Sequence, residues 1–251
     1  MKGFELDYDR RLNALNARRT PAVTRSIDGP VINMSASRGG SLVETVTKDY
    51  YQANAQNEIY NRVKEDSSIR YAIGCMQPVD PRYTEITFEE GDRVKNQLIN
   101  GLGYRGIECQ YRYQGSVTSD THIKAHSDID LLELTGVFYF LEPPQITENP
   151  YSGNSKQVIT TLKQVSEELL TDKFPAAQVD GSNSKAITIC GGSLCRKIDV
   201  VPAVWWDTVA YSQSHDPKHR GVKILDQKSD RWIDNMPFLH NDRINTRDRM
   251  F

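Results

Sequence analysis

Cysteine is scarce. Cys75, Cys109, Cys190 and Cys195 are the only four thiols in 251 residues, too few to staple a chain of this size, and they read as reduced. Long apolar runs are missing too. No segment approaches the ~20 apolar residues that a membrane helix needs, and the polar stretch 1–19 has no apolar signal core. The expectation is a cytoplasmic protein with no membrane partner. Nor does charge of one sign dominate: 31 Lys and Arg stand against 33 Asp and Glu. No global basic field calls for a long nucleic acid, although a local groove is free to be basic. Repeats and low-complexity tracts are absent. What remains is 38% apolar and 25% charged, a globular composition, with length enough for a large core that needs no staples.

Residues 1–40 carry the breakers Arg18-Arg19-Thr20-Pro21, Gly29-Pro30 and Arg38-Gly39-Gly40 and read as an irregular N-terminal arm. Residues 41–251 form the body. Val43, Val46, Tyr50, Ala53, Ile59, Tyr60 and Val63 recur at helical spacing and predict one long helix over Leu42–Lys64. Pro78 and Pro81 mark a loop. A second helix is expected over Thr87–Leu102, capped by Thr87 and ended by Gly101 and Gly103. Strands follow at Ile107–Tyr113 and, as one or two, within Ile129–Leu141. An amphipathic helix spans Ser155–Phe174. Ala186–Ile189 and Arg196–Val201 pair around Gly191-Gly192, and the tail from Trp205 is mixed. Strands and helices do not alternate strictly, which predicts an α+β chain with a mixed β-sheet backed by helices.

The chemistry concentrates in Gln114-Gly115-Ser116, Thr121-His122-Ile123 and Ser127-Asp128-Ile129-Asp130-Leu131. Carboxylates one residue apart on a strand share a face, so Asp128 and Asp130 can hold one divalent ion or bridge two; hard ions such as Mg²⁺ take carboxylate oxygens and complete their shell with water and phosphates. Asp199 lies in the apolar run Ile198–Val201, where a lone charge is costly unless paired or metal-bound. If its strand neighbours the Asp128–Asp130 strand, three acids converge as two-metal phosphoryl transfer requires. Gly115-Ser116, just past a strand, lets backbone amides approach phosphate oxygens.

The pattern Gly-Ser, five residues, Thr-x-Ile, then Ser-Asp-x-Asp resembles the polymerase-β-type nucleotidyltransferase superfamily. Within it, the twelve-residue step from Ser116 to Asp128 is similar to the cGAS/DncV-like nucleotidyltransferases, or CD-NTases. Lys197-Ile198-Asp199-Val200-Val201-Pro202 resembles the segment that carries the third acid. Ala72-Ile73-Gly74, Lys223-Ile224 with Asp226, and Pro237-Phe238-Leu239 are weaker echoes. The resemblance runs from about Ile69 to Arg249, and its specific elements are the Gly-Ser pair and the Asp-x-Asp pair. It implies a nucleotidyltransferase fold and an enzyme that joins nucleoside triphosphates, ATP among them, into a cyclic di- or trinucleotide with loss of pyrophosphate; in bacteria such products signal in antiphage defence. It implies that Asp128, Asp130 and Asp199 are catalytic and bind Mg²⁺, with Mn²⁺ able to substitute, that Asp199 helps activate the acceptor hydroxyl, and that Gly115 and Ser116 contact donor phosphates. Relatives often have Gly where this chain has Asp120, a residue that tolerates left-handed backbone. They also continue into a C-terminal helical lobe; the expectation is that this lobe is missing or shortened here, or is completed by a regulatory protein partner. The alternatives are transfer of a nucleoside monophosphate to a protein, RNA or small-molecule acceptor, and a non-catalytic nucleotide-binding module.

Lys223 is a candidate point charge for the triphosphate, with a plain surface lysine the equal alternative. Tyr211 is a candidate platform for the donor base. Trp205 and Trp206 read as packing, and His122 and His126 as loop or substrate-edge residues. Cys190-x4-Cys195 followed by His215-x3-His219 approaches zinc spacing, but cysteines at strand ends are ordinarily small buried thiols.

Overall fold

The computed structural model describes residues 8–9, 11–12, 59–77, 79, 81–119, 121 and 128–248. The chain divides into two compact units, Met1–Asp80 with His122–Ser127 and Pro81–Thr121 with Asp128–Phe251.

In the first unit, helices α1 (Ile59–Arg62) and α2 (Ser67–Met76) are described. Apart from Ile59–Arg62, the long helix expected over Leu42–Lys64 lies outside the described residues, and residues 63–64 have already left it. Asp66 separates the two helices because its carboxylate accepts from the backbone N–H groups of Ser68 (2.9 Å) and Ile69 (3.0 Å), capping α2. From the N-terminal arm only residues 8–9 and 11–12 are described, all helical; Leu12 is buried against Tyr71 and Ile73.

The second unit is built on a sheet. Helix α3 (Pro81–Tyr104) leads into β1 (Cys109–Gln114) and β2 (Ile129–Leu141); helix α4 (Ser155–Lys173) precedes β3 (Gln178–Asp180), β4 (Ile187–Gly191) and β5 (Leu194–Asp207). A short helix α5 (Val209–Ser214), β6 (Gly221–Asp226), β7 (Arg231–Asn235) and helix α6 (Pro237–Asp248) follow. The strand order is β1-β2-β5-β4-β3, with β6 paired to β5 and β7 to β6. The long β5 thus carries two partners in succession: β4 against Ile198–Val200 and β6 against Ala203–Trp206. β2 and β5 are parallel, and the other pairs are antiparallel. The sheet is mixed, as the interrupted strand–helix order predicts.

Helix α3 starts six residues before the expected Thr87. Pro81 opens the helix rather than a loop: at the first helical position its missing N–H has no partner to lose and its φ is already helical. Thr87 is consequently an interior residue, 1% exposed. The helix also runs through Gly101 instead of ending there, because that glycine is where α4 crosses. A Cβ at Gly101 would overlap Leu169 Cδ1, so the missing side chain is what admits Leu169. Gly191 and Gly192, at φ +79° and +61°, make the tight β4–β5 turn, a conformation that side-chain-bearing residues seldom adopt.

Alternation along the strands sorts side chains into two layers. Ile129, Leu131, Ile198 and Val200 join Leu98, Leu162 and Leu170 in the core beneath α3 and α4. Leu132, Leu134, Val201, Ala203 and Trp205 project from the other face, where Phe238 of α6 packs on them. Trp205 is therefore a packing residue, as expected. Among the described residues no helix is long and apolar enough to cross a membrane.

Glu133 is an anomaly in the helix-side layer: it is fully buried, and Tyr111 Oη (3.0 Å) and Ser166 Oγ (2.8 Å) both donate to it. Burial outweighs these donors and pushes its carboxyl up to about 7, from 4.5. An acid whose folded value lies above its unfolded one weakens the fold once the unfolded chain ionises, so stability should fall as pH climbs from about 4.5 to about 7. Glu133→Gln, neutral throughout, should lose that slope and exceed the wild type by up to about 3 kcal/mol above neutrality. Urea unfolding at about pH 5 and about pH 8 checks this; a Gln variant with the same pH slope as wild type contradicts it.

Candidate active site

The site forms on the sheet face opposite α3 and α4, where two parallel strands bring distant acids level. In the β2–β5 register Asp130 lies directly beside Asp199, a pairing that sets side-chain roots about 5 Å apart. One step back along the same face, Lys197 reaches both sides: its Nζ donates to Asp128 Oδ2 at 2.8 Å and to Asp199 Oδ2 at 3.0 Å. The second oxygen of Asp199 is held from β4, where Thr188, its register partner, donates Oγ1–H at 2.6 Å. Three carboxylates and one ammonium therefore share a patch on adjoining strands.

The electrostatics follow from that crowding. Asp130 is pushed up to about 6, first by burial and then by the like charges of Asp199 and Asp128, with Lys197 opposing. Lys197 is pushed above its ordinary range, chiefly by its hydrogen bond to Asp128 and then, against burial, by Asp199. Carboxylate oxygens are the ligands a hard divalent cation takes, and the three aspartates supply that chemistry, with the Lys197 ammonium as their counter-ion. Among the described residues no three His, Cys, Asp or Glu side chains stand as a preformed ligand group; Asp128 and Asp199 are drawn onto Lys197 instead.

The glycine-serine turn abuts the acids. β1 pairs with β2 so that Gln114 faces Asp130, and the chain turns at the next residue. Gly115 has φ +91°, and a Cβ built there would lie 2.9 Å from Asp130 Oδ2. The turn closes when Thr118 N–H (3.2 Å) and Thr118 Oγ1 (2.7 Å) donate to the Gly115 carbonyl, and Thr121 N–H donates to the Ser116 carbonyl at 3.0 Å. Asn241 of α6 braces it through Thr118 Oγ1 at 2.8 Å, and Asn235 of β7 reaches Gln114 at 3.2 Å. Asn235 also lines a cavity of about 250 Å³ with Met236, Leu239, His240 and Arg243.

Asp128, Asp130, Asp199, Gly115 and Ser116 are thus neighbours, whereas Lys223 and Tyr211 are not. Lys223 pairs with Val204 in the β5–β6 register, five residues along β5 from Asp199 and on the opposite, helix-side face. Its ammonium is bonded to Asp234 and sits over the rings of Trp206 (4.7 Å) and Phe140 (5.5 Å). At about 3.3 Å per residue it stands ~16 Å off, on the wrong side of the sheet for a triphosphate held at the acids. Tyr211, on α5 beyond the far end of β5, lies under the Arg220 guanidinium at 5.0 Å, and Arg220 in turn pairs with Asp207. His122 and His126 lie outside the described residues. The zinc spacing comes to no cluster among the described residues: Cys190 is beside the β4–β5 turn, while His215 and His219 follow the other end of β5. Sequence reading missed Lys197 and Thr188. The first was legible, since Lys197-x-Asp199 on a strand shares a face; the second depends on register alone.

No family model matches the chain. It is 45% identical over 185 residues to the cyclic dinucleotide synthase CdnE of Yersinia aleksiciae, covering 73% of this chain and 48% of that protein. To the c-di-GMP synthase of Capnocytophaga granulosa it is 32% identical over 218 residues, covering 78% of this chain and 59% of that one. The chain therefore spans roughly half the length of these curated relatives. The solved structure of a STING-associated CdnE c-di-GMP synthase from Flavobacteriaceae sp. has the same fold, with a TM-score of 0.60 at 20% identity over 98% of this chain and 68% of that one.

Proposed function

The chain belongs to the cGAS/DncV-like nucleotidyltransferases, the CD-NTases, and from that premise we propose that it links nucleoside triphosphates into a cyclic dinucleotide, releasing pyrophosphate at each bond. The observation that carries the reading is the level pairing of Asp130 with Asp199 beside a glycine-serine turn. A ring of two nucleotides is favoured over three because relatives at 45% and 32% identity are named as makers of cyclic dinucleotides.

Each residue has a task. Gly115 and Ser116 approach the donor phosphates, since a backbone lacking a Cβ exposes its amides there. Asp128, Asp130 and Asp199 would hold Mg²⁺, or Mn²⁺ in its place. The cation, when bound, supplies charge stabilisation to the triphosphate and lowers the pKa of the attacking hydroxyl. Asp199, fixed by Thr188 and Lys197, is aimed to accept the proton of the acceptor 3′- or 2′-hydroxyl. The carboxylates must be ionised to do this, and a bound cation would itself favour that form. The proposal extends to a cytoplasmic enzyme of bacterial antiphage signalling under control of a regulatory protein.

The test is incubation with the four α-³²P-labelled triphosphates, singly and in pairs, with Mg²⁺ and then Mn²⁺. A product that resists phosphatase, carries no free end by mass spectrometry and forms without an added acceptor is expected, with GTP the first substrate to try. Label appearing only on a protein, RNA or small-molecule acceptor would move the chain to another class of nucleotidyl transfer. Absence of turnover with every pair would leave a nucleotide-binding module.

A further inference from the structure

Lys197 lies on the active face, and the chemistry assigned above uses it only to fix Asp199. It precedes Ile198, the register partner of Ile129, and its Nζ reaches Asp128 at 2.8 Å. Its ammonium contacts Asp128 Oδ2 and Asp199 Oδ2, one oxygen of each flanking acid. A cation held by these acids would draw on the same two carboxylates, so Lys197 and a metal would compete for them. The lysine is 40% exposed, on a flexible four-carbon stem, and can leave without opening the core. Once released it remains beside Asp130, hence beside Gly115 and the place where a triphosphate would lie. We infer that Lys197 is the cluster's internal counter-cation: it gathers Asp128 and Asp199 before substrate arrives, gives up their oxygens to the metal, and transfers its own charge to the incoming phosphates.

This rests on the metal-dependent reading of the site and makes Lys197 a positioning residue with a definite sign. Removing a merely structural lysine would loosen the acids and weaken metal binding. Removing a competitor should strengthen it, because both the occupied oxygens and the repulsive positive charge are gone. Mn²⁺ titration of the nucleotide-free protein, followed by electron paramagnetic resonance of the free ion, reads this without turnover. Lys197→Met should bind Mn²⁺ more tightly by about tenfold at low salt. Lys197→Arg, still charged, should bind no more tightly than wild type. With Ca²⁺ in place of Mg²⁺ to block reaction, GTP should bind Lys197→Met more weakly, by about tenfold. Should the Met variant not fold, Lys197→Gln takes its place.

Unchanged or weaker Mn²⁺ binding in a folded neutral variant overturns the competition. Unchanged GTP affinity overturns the transfer to phosphate. If wild type and variants alike fail to bind Mn²⁺, the metal reading itself falls and the lysine proposal with it. If wild type binds Mn²⁺ and the neutral variant binds no better, the lysine proposal falls alone.

Discussion

Replacing Asp128 and Asp130 together by asparagine should cut turnover at least about a thousandfold while the protein stays folded. A single well-placed electrostatic contact is worth about 10²–10³ in rate, and this change removes two charges from a cluster of three. Stability should hold because the wild-type arrangement is itself strained by charge. Asp130 is half-buried, and its partial burial first, then the charges of Asp199 and Asp128, push its carboxyl up to about 6; a neutral amide relieves both costs. The amide left at position 128 keeps an oxygen that can accept from Lys197. Pyrophosphate release and a thermal melt, measured on one preparation, separate the two effects. Turnover within tenfold of wild type would remove the acids from the mechanism.

Gly115→Ala should have the next largest effect, through a single methyl group. The position has φ +91°, where L-residues are rare, and the new Cβ would meet Asp130 Oδ2 at 2.9 Å. The backbone strain is on the order of 1–3 kcal/mol. The clash has two ways to relax, and both are harmful: the turn shifts away from the phosphates, or the carboxylate shifts out of line with Asp199. A displacement of about 1 Å at reacting groups commonly costs about a hundredfold. The expectation is a fall of about a hundredfold in kcat, with a melting temperature lowered by several degrees. Gly136→Ala is the control, because nothing stands within 4 Å of its Cβ and its φ is not left-handed. Its kcat should match wild type. A Gly115→Ala enzyme as active as that control would show the turn does not position Asp130.

Much of this was readable from spacing. Period-two alternation placed Asp128 and Asp130 on one strand face, and it would have added Lys197 to the face of Asp199 had it been applied there. The Gly191-Gly192 pair announced a hairpin because few other residue pairs take that turn. The start of α3 was misread because a proline suits the first helical position as well as it suits a loop, and only packing distinguishes them. Strands β6 and β7 were missed because neither alternates cleanly: Ile224 and Leu225 stand side by side in Gly221–Asp226, and Arg231–Asn235 is mostly polar.

Local sequence, then, settled which residues could share a face, since that depends on dihedral geometry within a few residues. It chose the acids, the glycine-serine turn and the interrupted order that makes the sheet mixed. Which faces meet was decided by strand pairing between residues some seventy positions apart. Pairing β2 parallel to β5 set Asp199 beside Asp130 and put Lys197 against Asp128, whereas pairing β6 to β5 one residue out of phase with Asp199 sent Lys223 through to the other side. A shift of a single residue in either register would exchange those outcomes, because neighbouring side chains on a strand point in opposite directions.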